Sequence, residues 1–198
     1  SDGAYDGNDD EIAELTSIQS DSTGKVDFRL IIASGGFAYL GVMEIIETGA
    51  ATPLADAQRT LRVDFGRSDG TNGNTTSSPD VNGNRWNNLS SGFNVADGQT
   101  SGDLVTTGNI PSGISITMQG NSWEANGKLS GGLLTPSPAL LGDLAIASAT
   151  EDYYFVESGV GGGVGTMTIA GLDPQRLYTF RMFGTRNTTS VRASIYTI

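Results

Sequence analysis

The chain has 198 residues, enough for one domain with a substantial core, and 22 acidic against 11 basic residues give it a formal charge of −11. It has no cysteine and no histidine, so disulfides, thiolate nucleophiles, imidazole bases and the usual transition-metal ligands are absent, and Ser-His-Asp, Cys-His and zinc-hydrolase designs are excluded. The acidic balance repels nucleic acid and anionic membrane and suits a divalent cation or a neutral polymer, and no apolar run reaches the roughly 18 residues of a membrane span.

Glycine is abundant, with 28 copies, and much of the rest is Asn, Asp, Ser and Thr. That mixture predicts short strands joined by tight turns and polar loops. Lysine occurs only at Lys25 and Lys128, which together with the Thr/Ser/Asn/Gly richness suggests a secreted, extracellular or cell-surface protein.

In chain order, residues 1–24 form an acidic, turn-rich patch. KVDFRLIIAS alternates as a strand, with Val26, Phe28, Leu30 and Ile32 on one face. SGG is a turn, and FAYLGVMEIIE is a second strand that makes a hairpin with the first. TGAATPLADAQRT is a connector and LRVDFG a further strand. Residues 67–84 form a polar loop long enough to be functional or disordered, after which Trp86 and Leu89 re-enter the core. DLVTT and SGISITMQ are short strands. NSWEANGKLSGGLLTPSPALLGD is a second excursion, and LAIASATEDYYFVES holds a short helix or a strand pair. GVGGGVG is a flexible loop. TMTIAGL is a strand, LYTFRMFGTR a central strand with Tyr178, Phe180 and Met182 on one face, and VRASIYTI the last strand. About eight to ten strands with almost no helix predict an all-β fold, a β-sandwich or jelly roll.

LRVDFG, the loop DGTNGNTTSSPDVNGNRWNNL and the run GLDPQRLYTFRMFGTRNTTSVRASIYTI, with FAYLGVMEIIE, resemble the galactose-binding-like and malectin-like sandwiches of secreted bacterial proteins associated with polysaccharide. The resemblance covers most of residues 25–47 and 61–198. In such domains the VDFG strand opens the fold and the tyrosine-apolar strand closes it. Here the closing segment comes first, as in a circular permutation. The chain then divides into a strand segment, 1–47, a linker, 48–60, and a sandwich body, 61–198. The resemblance implies two destinations for Val26, Phe28, Leu30, Ile32, Tyr39, Val42 and Ile45. They complete their own sandwich, or they enter a neighbouring copy by strand exchange and build a fibre or surface array.

Two stretches have oxygen ligands at the i, i+2, i+4 spacing that calcium favours: Asp80, Asn82, Asn84, and Asp6, Asn8, Asp10. The same residues form Asx turns without metal. Trp123, with Glu124 and Asn126, lies in a polar loop where an exposed ring would stack on a pyranose, and Tyr153 is a second candidate platform. This is the basis of the alternative to the structural module, a carbohydrate-binding module for a neutral polysaccharide. No catalysis is expected: Asp64, Glu124, Asp143, Glu151 and Asp152 are available as acids, but no spacing selects a pair.

Overall fold

The computed structural model describes residues 8, 10–49 and 56–198. Among these, the strands in chain order are β1 (Ala13–Ile18), β2 (Lys25–Ser34), β3 (Phe37–Leu40), β4 (Val42–Glu47), β5 (Thr60–Gly66), β6 (Asn87–Ser90), β7 (Ser115–Gln119), β8 (Glu124–Asn126), β9 (Tyr153–Glu157), β10 (Val164–Ala170), β11 (Tyr178–Phe183) and β12 (Ala193–Thr197). Three single-turn helices, α1 (Asp56–Arg59), α2 (Pro138–Leu141) and α3 (Ala147–Thr150), lie in connections. The fold is all-β.

The strands form a five-stranded sheet, β1-β11-β4-β5-β6, a four-stranded sheet, β12-β2-β10-β7, and a three-stranded sheet, β3-β9-β8. Every ladder is antiparallel except β5 with β6. The alternation read in KVDFRL is the burial pattern of β2: Val26, Phe28 and Leu30 are buried and their neighbours exposed. They pack with Met167 and Ile169 of β10 and Ile116 and Met118 of β7 against Met43, Ile45, Val63, Phe65, Phe180 and Met182 of the five-stranded sheet. This sandwich-like core is where period-2 patterning sends the apolar face.

β4 and β5 are buried on both faces. Their outer face is covered by a second apolar layer in which Val42, Trp86, Leu141, Leu144, Ala149 and Phe183 meet. The two polar excursions of the sequence supply it, so neither is a solvated appendage. The 67–86 loop is pinned by its own carboxylates: Asp69 accepts the amides of Thr71 and Asn72 and pairs with Arg67 at 2.7 Å.

Four expectations change. FAYLGVMEIIE is two strands, because at Gly41 the chain leaves the three-stranded sheet for the five-stranded one. A Cβ there would stand 2.9 Å from the Asp152 carbonyl oxygen. β2 and β3 are joined by a tight turn at Gly35 and Gly36, both at positive φ, yet they enter different sheets rather than pairing as a hairpin. DLVTT contributes only a single bridge, Val105 with Pro111. The patch 1–24 contains β1, a half-exposed edge strand whose weak pattern hid it.

Residues 25–47 are central. β2 runs between β12 and β10, and β4 between β11 and β5. Ile46 stands opposite Thr60 in the β4–β5 ladder, so the connection joins direct neighbours and the segment pairs within its own chain. Of the residues expected at an assembly surface, Val26, Phe28, Leu30, Tyr39, Val42 and Ile45 are buried in this intramolecular packing, and Ile32 packs half-buried against the core.

Candidate functional site

The sugar platform expected at Trp123 is corrected by its burial. Trp123 is 1% exposed, its indole N–H donates to the Thr166 carbonyl at 2.9 Å, and its ring lies 6.4 Å from that of Tyr154 in the core. WEAN is not a loop but the entry to β8, which pairs with β9. Tyr153, also inaccessible, donates its hydroxyl to the Ser130 carbonyl, and burial raises its phenol well above the usual range. Glu124 is half-buried, with its carboxyl raised first by desolvation and then by Glu157. The Asn126 side chain accepts the amide of Gly127. These four residues do not form an accessible face.

The 80–84 stretch takes the Asx-turn arrangement. One carboxylate oxygen of Asp80 accepts the amides of Asn82 at 2.8 Å and Asn84 at 2.9 Å, and the other accepts the indole N–H of Trp86 at 2.8 Å. Three donors use the oxygens that a cation would need. Asp6 lies outside the described residues. Asn8 bonds in both directions with Glu11 and donates to the Gly184 carbonyl, and Asp10 is exposed. Among the described residues no three acidic side chains form a ready metal set.

What the fold does assemble is a cavity of about 560 Å³ between the N-terminal segment, the end of β11 and the approach to β12. Tyr39, Arg186, Arg192, Ser194, Asp10 and Glu11 contribute to its wall. Asn8 ties the N-terminal segment across the rim through its bond to Gly184. Beneath lies an aromatic layer: Phe37 stacks on Tyr39 with 6.5 Å between centroids, and Tyr153 meets Tyr39 edge-on at 5.0 Å. The Arg192 guanidinium lies 4.2 Å from the Phe37 centroid and that of Arg186 5.7 Å away, within cation–π range. Arg192 Nη1 donates to the Tyr39 hydroxyl, while its Nε is buried without an acceptor. Tyr196 and Ser194 lock Tyr39 from β12 through bonds to its carbonyl and amide, at 2.7 and 3.0 Å.

Elsewhere arginines sit against acids, as Arg62 and Arg181 do with Glu44, Arg67 with Asp69 and Arg176 with Glu47. Among the described residues, no carboxylate lies within salt-bridge distance of Arg186 or Arg192. In a chain with twice as many acids as bases, two guanidiniums held against an aromatic ring, with no carboxylate partner among the described residues, are the groups at which an anion would be accepted. No period or motif singles them out, since Arg186 ends the predicted strand LYTFRMFGTR and Arg192 stands at the start of the last predicted strand, VRASIYTI.

The comparisons supply no relative: no family model, no curated protein and no solved structure matches this chain.

Proposed function

We infer that the chain is a non-catalytic extracellular binding module, a galactose-binding-like jelly roll in permuted order, whose pocket takes an acidic saccharide. The permuted order is supported by the central places of β2 and β4, which precede the VDFG strand in sequence. The binding function rests on one observation, the pairing of Arg186 and Arg192 over Phe37 at the wall of an open, mixed polar and apolar cavity. The volume suits a small ligand or one or two sugar units. A guanidinium can meet a carboxylate with two parallel hydrogen bonds. Asp10, Ser194 and the rim hydroxyls suit sugar hydroxyls. An acidic sugar fits these guanidiniums better than the neutral polymer that the net charge suggested.

Calorimetric titration with uronate-containing and neutral oligosaccharides tests this. Uronates should bind, and Arg192→Ala should weaken binding at least tenfold while the fold is kept. Equal binding of neutral sugars, or no effect of removing both arginines, would overturn it.

A second function is favoured by the edge strand β12 and the residues flanking it, where Ile195 on the strand is 45% exposed and Val191 before it and Ile198 after it are 52% and 45% exposed. An unpaired edge carrying apolar side chains invites association, so copies of the chain would add edge to edge into a fibre or array. Light scattering and negative-stain imaging should then show oligomers that Ile195→Lys disperses. A monomer of 20.6 kDa would exclude it.

A further inference from the structure

Asp64 and Asp152 are 3% and 1% exposed. Asp64 is on β5, two residues before Gly66 and therefore on the same face of the strand. A Cβ on Gly66 would overlap the Asp152 carboxyl group, so Asp152 occupies the place of the missing side chain beside Asp64. The two carboxyls are close enough for the charge of Asp64 to act on Asp152. Asp64 Oδ2 accepts the Thr76 amide at 3.0 Å, and Asp152 Oδ2 accepts the Arg67 amide at 2.7 Å. The other oxygen of each, Asp64 Oδ1 and Asp152 Oδ1, is buried with no hydrogen-bond partner.

Burying a carboxylate with an orphan oxygen is costly unless something pairs with it. The surroundings do not supply the charge. Glu151 is a third acid beside the pair, and the nearest cation, Lys128, lies 3.7 Å from Glu151. The Arg67 guanidinium turns away to Asp69. Three carboxylates against one lysine leave two negative charges uncompensated when all are ionised. Gly73 and Gly127 bring backbone against Asp152 so closely that neither has room for a Cβ, which packs main chain around Asp152.

We propose that Asp64 and Asp152 hold a hard divalent cation of the calcium class, which their two orphan oxygens and the uncompensated charge accept. The site is independent of the arginine pocket and of the 80–84 turn. Such a cation takes six to eight oxygens. Two carboxylates supply part of that number, and main-chain oxygens and water would supply the rest, because no third acidic ligand is in place among the described residues. The ion would clamp the 67–76 loop and the 127–152 segment onto β5, which makes it structural rather than catalytic.

The test is calcium and magnesium binding by the full chain after chelator treatment, read by equilibrium dialysis and thermal unfolding. About one calcium per chain should bind, and a hundredfold excess over Kd should raise Tm by about 5–10 °C. Magnesium should act more weakly, because it demands stricter geometry. Asp64→Asn/Asp152→Asn should abolish the response, while Asp27→Asn, an exposed acid on β2, should keep it. If the double variant does not fold, Asp64→Asn alone should weaken calcium at least tenfold. A wild-type chain that binds neither ion at millimolar concentration overturns the proposal, and so does undiminished binding by a folded Asp64 or Asp152 variant.

Discussion

The carboxyl group of Asp152 fills the space where a side chain at Gly66 would stand. This links the sequence GRSDG after β5 to the TEDYY run that opens β9, although 85 residues separate Arg67 from Asp152 in their hydrogen bond. Glycine is required at position 66 for room rather than for φ. Gly66→Ala must displace the Asp152 carboxyl or β5, and should cost about 1–3 kcal/mol as overpacking does. Gly92 has nothing within 4 Å of its would-be Cβ, so Gly92→Ala should be close to neutral. Urea unfolding of the two variants compares them directly, and equal stability would show that Asp152 does not depend on the space above Gly66.

Arg181, Glu44 and Arg62 stand opposite one another on β11, β4 and β5. Glu44 bonds Arg62 at 2.9 Å and Arg181 at 2.6 Å, and Arg62 also reaches Asp143 at 3.0 Å. Both side chains of the Glu44–Arg62 pair are nearly inaccessible. Glu44→Ala should therefore cost about 3–5 kcal/mol, because it strands a buried guanidinium. Arg181 is a third exposed, so Arg181→Ala should cost about 1 kcal/mol or less. Chemical denaturation of the two variants measures the difference, and equal costs would mean that the pair is solvated.

The all-β class and the apolar faces of β2, β10 and β11 were legible in the sequence because period-2 alternation reports burial directly. The doubly buried β4 and β5 carry no such alternation, and their outer cover comes from loops that read as polar. Trp123 looked exposed because its neighbours are Gly, Ser, Asn and Glu. It is buried because the face of β10 at Gly165 has no side chain, leaving space that the indole occupies. Spacing could not sort the five available acids. Asp64, Glu151 and Asp152 meet only because β5 and β9 belong to adjacent sheets. Arg186 and Arg192 were invisible for the same reason: that no carboxylate among the described residues pairs with them is a property of three-dimensional neighbours.

Asp80 supports Trp86 from six residues earlier in the chain, and the indole lies under Arg62 at 5.9 Å. Asp80→Ala removes an acceptor for three donors, one of them the buried indole N–H. The loss should be about 1–3 kcal/mol, seen as a fall in Tm. Because the carboxylate is spent on protein donors, that fall should be the same with calcium or with chelator in the buffer. A larger fall in calcium would assign a cation to the 80–84 turn instead.

Burial raises the carboxyls of Asp64 and Asp152 above the usual range, desolvation first in both cases, with Asp64 as the next cause for Asp152 and Glu151 acting on each. In metal-free solution the folded chain then holds protons that the unfolded chain has released above about pH 4. A group raised on folding gives its full stability below the unfolded value and loses it as pH rises through the folded value. Stability in chelator should therefore fall from about pH 4 upward through neutrality. Two neighbours work against this trend, the Arg67 amide and Lys128, which both favour the charged form of Asp152. Asp152→Asn has no proton to lose there, so its profile should be flatter. Urea midpoints measured from pH 4 to 9 in chelator decide the matter: a wild-type profile as flat as the variant's would mean that water reaches the pair, whereas a slope that saturating calcium removes would join this titration to the cation site.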